Sequence, residues 1–270
     1  MSKWRPTHLN CLYVIGDIHG QFKQLKLICN RIFPLRKSDG GKDVLVCLGD
    51  YIDRGEDSPA VIDFLIKAKK KYKDQLILLS GNHELMLLKA IEPSVSSNDY
   101  LMWMQNGGVQ SLRQYLLRKG DPKTTGLPVH NPYELPRHRV VDFIPDDHLH
   151  FFKTLDKYYE TDDYIFVHGG CDPTVPLSAQ SPKELAWDRG LFEQVTGMVL
   201  NKRHMPWKKT VVTGHNGTSD CPFISEKFMM LDVSYAAKLM IAELNSMEGF
   251  IASRNKSRLV KLDLNESVVV

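Results

Sequence analysis

Five apolar runs in this chain each deliver aspartate, asparagine or histidine beside a glycine. Cys11-Leu-Tyr-Val-Ile15 runs into Gly16-Asp17-Ile18-His19-Gly20, and Val44-Leu-Val-Cys-Leu48 into Gly49-Asp50-Tyr51-Ile52-Asp53-Arg54-Gly55. Ile77-Leu-Leu-Ser80 runs into Gly81-Asn82-His83-Glu84. Tyr164-Ile-Phe-Val167 leads to His168-Gly169-Gly170, and Thr210-Val-Val-Thr213 to Gly214-His215. A short buried strand that stops at such a glycine exposes the next side chains at its C-terminal end, where open α/β sheets place ligands. Chance gives one or two such ends. Five in one chain point to a metal site built from strand ends.

The chain has 270 residues, 43% of them hydrophobic, enough for a sizeable core in one large domain. A net charge of +3 is too mild to argue for a nucleic-acid partner. Cysteines stand at 11, 29, 47, 171 and 221, an odd number without Cys-x-x-Cys spacing. Cys11, Cys29 and Cys47 fall inside apolar patterns and read as small packed hydrophobes, which fits a reducing compartment. Met1 to Asn10 lacks the apolar core of a signal peptide. No stretch approaches ~18 apolar residues, the length that spans a bilayer. The expectation is a cytoplasmic protein without membrane or specific nucleic-acid binding. Oligomeric state leaves no sequence signal.

Helical stripes are predicted at Phe22, Leu25, Ile28, Cys29 and Ile32, and at Val61, Ile62, Leu65 and Ile66 behind Asp57-Ser58-Pro59. The lysines from Lys67 to Lys73 read as a solvated helix end. Further helices are expected over Glu84 to Ile91, over Asp99 to Leu117 with an interruption at Gly107-Gly108, and from Pro145 to Leu155. His148 and His150 point to different faces of the last one and read as structural or exposed. Gly120 to Arg139 reads as a long irregular connection, with Arg137 and Arg139 as possible substrate contacts but better explained as solvated. Phe228–Val233, Lys238–Leu244, Gly249–Ala252 and Arg258–Leu264 read as strands in antiparallel hairpins, about 228–264 in all. The whole fits α/β: two packed sheets with helices outside, one domain over residues 1–270.

Two metal ions about 3.5–4 Å apart can hold both oxygens of an in-line phosphoryl displacement. A bridging carboxylate keeps them together, and a hydroxide between them serves as nucleophile. Asp17 and His19, two apart on an extended segment, can converge on one ion. Asp50 is the natural bridge, and Asn82, His168 and His215 complete the second ion. This mixture of imidazole, carboxylate and amide suits manganese, iron or zinc better than calcium. His83 can carry a proton near neutral pH.

In order and spacing, the five motifs resemble the metallophosphoesterase pattern of the phosphoprotein phosphatase family, in its compact bacterial and phage form. The resemblance covers roughly residues 11 to 215. It implies a calcineurin-like sandwich of two packed mixed β-sheets flanked by helices. It also implies two divalent metal ions, manganese above all in vitro, on Asp17, His19, Asp50, Asn82, His168 and His215. Arg54 would clamp the phosphate, together with Asn82 and with Arg189 of Trp187-Asp188-Arg189. His83 would protonate the leaving alkoxide, with Asp53 orienting its ring. Glu84 reads equally as support for the site or as an acid at a helix N-terminus. Cys171 reads as a small packed thiol.

The implied activity is a serine/threonine protein phosphatase acting on phosphorylated proteins or peptides. The nearest rival is the symmetrical diadenosine tetraphosphate hydrolase, whose pattern typically lacks the aspartate matching Asp53 and carries Asp where Glu84 stands. An alkoxide needs a well-oriented acid, whereas a nucleotide leaves as a stable anion, so Asp53 favours phosphomonoesters. A non-catalytic metal scaffold is the alternative from another class, but such chains should have lost ligands or the acid. Leu231-Asp-Val-Ser-Tyr235 departs from the C-terminal loop of the eukaryotic members, so their regulatory partners do not carry over. Asn216 after His215 departs too, which leaves local substrate contacts open.

Overall fold

The computed structural model describes residues 9–38, 41–120, 126–217, 221–234, 237–254, 256 and 258–265. Expectations that fall on residues 1–8, on 121–125 of the irregular connection, on Tyr235 and on the tail 266–270 lie outside the described residues.

Strand β1 (Leu9–Ile15) leads through helix α1 (Phe22–Ile32) and the short β2 (Lys37–Ser38) to β3 (Gly41–Cys47). Helix α2 (Ser58–Tyr72) returns the chain to β4 (Leu76–Leu78). Its N-terminus is capped as expected: the Asp57 side chain accepts the Ala60 N–H, with Pro59 in the first turn. β1, β3 and β4 pair in parallel. Helices α3 (Asn82–Ala90) and α4 (Ser97–Trp103), a π-helical turn (Met104–Gly108), α5 (Val109–Arg118) and α6 (Asp146–Lys153) follow.

The second sheet holds β5 (Tyr159–Glu160), β6 (Tyr164–Phe166), β7 (Thr210–Thr213), β8 (Phe223–Ser225) and β9 (Phe228–Met230). Helices α7 (Pro182–Trp187) and α8 (Gly190–Leu200) lie between β6 and β7 in the chain. The last strands, β10 (Lys238–Glu243), β11 (Glu248–Ser253) and β12 (Val260–Asp263), return to the first sheet, where β10 pairs antiparallel with β1.

Side-chain alternation makes the layers. Leu12 and Val14 of β1, with Val44 and Val46 of β3, face Phe166 and Val212 across the inter-sheet core. Ile15, Leu45 and Cys47 face the other way, onto α1, α2 and the other helices on that side. Ile165 and Val211 pack under α7 and α8. Strands buried on both faces read as continuous apolar runs, which is why β1, β3, β4, β6 and β7 stood out in the sequence.

The antiparallel reading of the C-terminal strands holds for β10 to β12. Phe228–Met230 also sits in an antiparallel hairpin, with β8, but in the other sheet, where its second neighbour β7 runs parallel to it. A three-residue strand shows no period, and its partner is set by a non-local crossover. The irregular connection is better packed than expected. Its described part buries Val129 and Leu135, with 3₁₀ turns at Pro132–Glu134 and Arg137–Phe143. Arg137 donates to Ser97 Oγ and Arg139 pairs with Asp142, both on the exposed surface. His148 is buried between Tyr115 and Asp63, a satisfied structural histidine.

Phe166 is fully buried between the sheets. Phe166→Ala is expected to cost about 3–5 kcal/mol, read as a lower urea midpoint with an unchanged m-value. A loss below about 1 kcal/mol would show that the inter-sheet core is not close-packed there.

Candidate active site

The strand ends deliver their side chains to one place. Asp17 and His19 follow β1, Asp50 follows β3, and Asn82 and His83 open α3 just past β4. His168 follows β6 and His215 follows β7. Parallel pairing within each sheet puts these ends on common edges. All seven residues are buried.

Asp50 is the centre of the set. Its Oδ2 lies 3.5 Å from His19 Nε2 and 3.7 Å from His83 Nε2, while its Oδ1 lies 3.3 Å from His168 Nε2. Asp17 Oδ2 is 4.0 Å from His19 Nε2, and Asn82 Oδ1 is 3.0 Å from His168 Nε2. Ligand atoms of Asp50, His168 and His215 all fall within 4.8 Å of one another, as do those of His19, Asp50 and His83.

The backbone reaches this arrangement by turning, not by the extended segment expected between Asp17 and His19. His19 has φ 40°, Asp50 φ 50°, Asp53 φ 72°, Arg54 φ 63° and His215 φ 64°. Nine non-glycine residues among those described have positive φ, and these five are in the site. Each such residue costs about 1–3 kcal/mol and persists only where its surroundings hold it. Gly81 permits one of the close approaches: a Cβ there would lie 2.1 Å from Asp50 Oδ1.

Glu84 is one of the supports. Its carboxylate accepts the backbone N–H groups of Gly81 at 3.0 Å, Asp50 at 2.9 Å and Tyr51 at 2.8 Å. It is thus both the acid in the first turn of α3 and the brace of the Asp50 loop. Burial, joined by the Asp50 charge, pushes its carboxyl up to about 7.

The ring nitrogens are assigned by their partners. His19 Nδ1–H donates to the Ile52 carbonyl at 2.9 Å and His168 Nδ1–H to the Leu48 carbonyl at 3.0 Å, which turns each Nε2 toward the carboxylates. Burial and the His83 charge hold His19 well below the ordinary imidazole range. Burial and the His168 charge push His215 down to about 3. Burial also pulls His168 down, but Asp50 and Asp17 outweigh it and raise the ring to about 10. Burial, reinforced by the Asp232 charge, holds the Asp17 carboxyl well above the usual range.

These residues fit divalent ions. His215 Nε2 is buried without a hydrogen-bond partner among the described residues. Two buried carboxylates face imidazole nitrogens and an amide oxygen, a donor set suited to manganese, iron or zinc. Where an ion is lacking, His168 holds a proton against Asp50; an ion would displace it.

Arg54 donates from Nη1 to His19 Nε2 at 2.9 Å and from Nη2 to His83 Nε2 at 3.0 Å. His83 Nδ1–H donates to Asp53 Oδ2 at 2.8 Å. Burial lowers the His83 value, but Asp50 and Asp53 outweigh it and raise the ring above its ordinary value. Proton and guanidinium therefore compete for the Nε2 lone pair, and the donor geometry has the guanidinium there. Arg54, Arg189, His19 and His215 line a cleft of about 510 Å³ that runs out to Asp232 and Arg254. Asp17, His19, Asp50, Asp53, Arg54, Asn82, His83, His168 and His215 thus lie in one constellation, with Arg189 on the wall of its cleft. Asp232 and Arg254 were missed, for neither stands in a motif. Cys171 is buried in the core under α7 and α8, a packed thiol as expected.

A family model described as calcineurin-like phosphoesterase matches residues 12–219. The chain belongs to the calcineurin-like phosphoesterase family. Serine/threonine-protein phosphatase 2 of Escherichia coli is 33% identical over 107 residues, 40% of this chain and 43% of that protein. The symmetrical bis(5'-nucleosyl)-tetraphosphatase of Buchnera aphidicola is 38% identical over 87 residues, 32% of this chain and 29% of that protein. The chain therefore spans less than half the length of either relative. The cold-active protein-tyrosine phosphatase of a Shewanella species superposes with a TM-score of 0.56 at 16% identity, over 94% of this chain and 80% of that one. At that identity it shows the calcineurin-like fold alone: two mixed sheets with helices outside.

His168 lies near 6.5 in an unfolded chain and about 10 in the folded one. It therefore contributes stability in full below about 6.5, which is lost as pH rises through the folded value. Manganese added to metal-free protein at pH 7.5 is expected to release about one proton from this ring. The readout is calorimetry in two buffers of different ionisation heat. Identical heats in both would contradict it.

Proposed function

We propose that this chain is a metal-dependent phosphomonoesterase acting on phosphoserine and phosphothreonine in proteins. The carrying observation is the buried Asp53–His83 pair, 2.8 Å apart, with Arg54 on the other ring nitrogen. Asp17, His19, Asp50, Asn82, His168 and His215 would hold two divalent ions, manganese in vitro, with iron and zinc also suited. When bound, the ions would neutralise phosphate oxygens and activate the attacking water.

The chain's own residues do the rest. Arg54 leaves the two imidazole nitrogens to clamp the phosphate as a planar fork, with Arg189 and Asn82 beside it. Its departure frees His83 Nε2 to take up a proton, which Asp53 and Asp50 favour. The water gives up one proton to solvent and keeps the other on the product phosphate, as its oxygen bonds to phosphorus and the ester P–O bond breaks. The bond's electron pair stays on the leaving oxygen, and the His83 Nε2 proton goes to it. Solvent then reprotonates the ring.

Asp53 also favours this reading over its rival. A nucleotide leaving group needs little protonation, so a dinucleoside polyphosphate hydrolase has little use for this buried pair. The name of the E. coli relative supports the phosphoprotein reading, and that of the Buchnera relative keeps the nucleotide in the test. A non-catalytic scaffold would need neither the acid pair nor the clamp. The site draws on strands of both sheets, which supports one metallophosphoesterase domain over the chain. No helix among the described residues is long and apolar enough to cross a membrane. The cysteine pattern supports the cytoplasm.

Purified protein with manganese is expected to turn over a phosphoserine peptide faster than a phosphotyrosine peptide or diadenosine tetraphosphate. Faster cleavage of the dinucleotide would replace the proposal with its rival, and no turnover at all would favour the scaffold. His83→Asn is expected to lower kcat for alkyl phosphates by about 10²–10⁴-fold, and far less for p-nitrophenyl phosphate. Equal losses would remove His83 from the acid role. Arg54→Ala is expected to raise KM and lower kcat together. Unchanged values of both would rule out the clamp.

A further inference from the structure

The segment from Trp103 to Ser111 has no part in the site described so far. It joins α4 to α5 through the π-helical turn, the interruption already visible in the sequence as Gly107-Gly108. Its polar contacts converge on two consecutive residues of the site.

Trp103 Nε1–H donates to Asp53 Oδ2 at 3.1 Å, with Oδ1 at 3.3 Å. Ser111 Oγ–H donates to Asp53 Oδ1 at 2.7 Å. The same hydroxyl oxygen accepts the Asp53 backbone N–H at 2.8 Å. The Gly107 carbonyl accepts the Arg54 backbone N–H at 3.4 Å, and the Asn106 carbonyl accepts Arg54 Nε at 3.4 Å. Gly107 has φ 112°, and a Cβ there would lie 2.7 Å from Arg54 Cγ. A π turn of this kind frequently marks a functional site. Here it brings two carbonyls and a bare glycine against a strained pair of residues.

Trp103 and Ser111 are buried and do not line the cleft. A packing role alone needs neither an indole N–H nor a hydroxyl aimed at one carboxylate. We infer that Trp103 and Ser111 are positioning residues for the acid step. They fix the Asp53 carboxylate against His83 Nδ1–H, while the π turn holds Arg54 in register beside it. The inference rests on the phosphomonoesterase reading above and deepens it: this brace is what suits the site to esters of poor leaving groups. With one donor removed, the carboxylate is held by one brace fewer, and the imidazole it orients is directed less tightly toward the leaving oxygen.

The test compares the metal-loaded parent, Ser111→Ala and Trp103→Phe on a phosphoserine peptide and on p-nitrophenyl phosphate. General-acid catalysis contributes about 10²–10⁴-fold, so loosening it is expected to cost on the order of ten-fold in kcat on the peptide. KM should hold, and p-nitrophenyl phosphate should lose less than about two-fold. A merely structural role would lower both substrates together. Equal losses on both, or no loss on either, with an active parent, overturn the inference and leave the functional reading standing. A parent inactive on every phosphoester overturns that reading, and this inference with it. Should Trp103→Phe not fold, Ser111→Ala, which removes a single oxygen, decides alone.

Discussion

A single buried carboxylate, Asp50, faces histidines from both sheets. One oxygen lies 3.5 Å from His19 and the other 3.3 Å from His168. An anion so placed cannot be left uncompensated away from water, because its desolvation is far costlier than any one contact restores. The rings gathered round it, and the cations they can hold, are that compensation. The pairing of β1 with β3, and the stacking of the two sheets, bring the rings to it. The fold's layers and the site's chemistry are thus one requirement met twice.

Holding Asp50 there costs backbone strain, and the strain is offset locally. Glu84 takes four backbone N–H groups, those of Gly81, Asp50, Tyr51 and Ile52, that a bare loop would leave to water. Gly81 gives the carboxylate room that no side chain could. Asp53 and Arg54, strained in the same way, lean on α5 and on the π turn before it. Positive φ at aspartate and histidine is tolerable and at bulky residues rare, so residue type and backbone shape select one another.

Much of this was legible from strand-end grammar alone. Apolar runs buried on both faces leave an unbroken signal, and a glycine beside Asp, Asn or His marks where each stops. That placed Asp17, His19, Asp50, Asn82, His168 and His215 together before any coordinate. Glu84 was visible only as an ambiguous helix acid, since its partners beyond the helix start, the Asp50 and Tyr51 N–H groups, lie 34 and 33 residues away. Trp103 showed itself as an apolar helix residue; its indole N–H partner, Asp53, is 50 residues distant. Ser111 gave no signal, because one hydroxyl in an amphipathic helix has no period.

The order of motifs by itself determined the family resemblance, the set of donors and the presence of an acid beside an arginine. Those are properties of residue type at short range, and short-range spacing survives in a sequence. Only the tertiary structure decided which oxygen of Asp50 faces which ring, that His19 arrives by a turn, and that β9 joins β7. Non-local pairing sets these, and side chains that meet across fifty residues leave no mark on either neighbourhood of the chain.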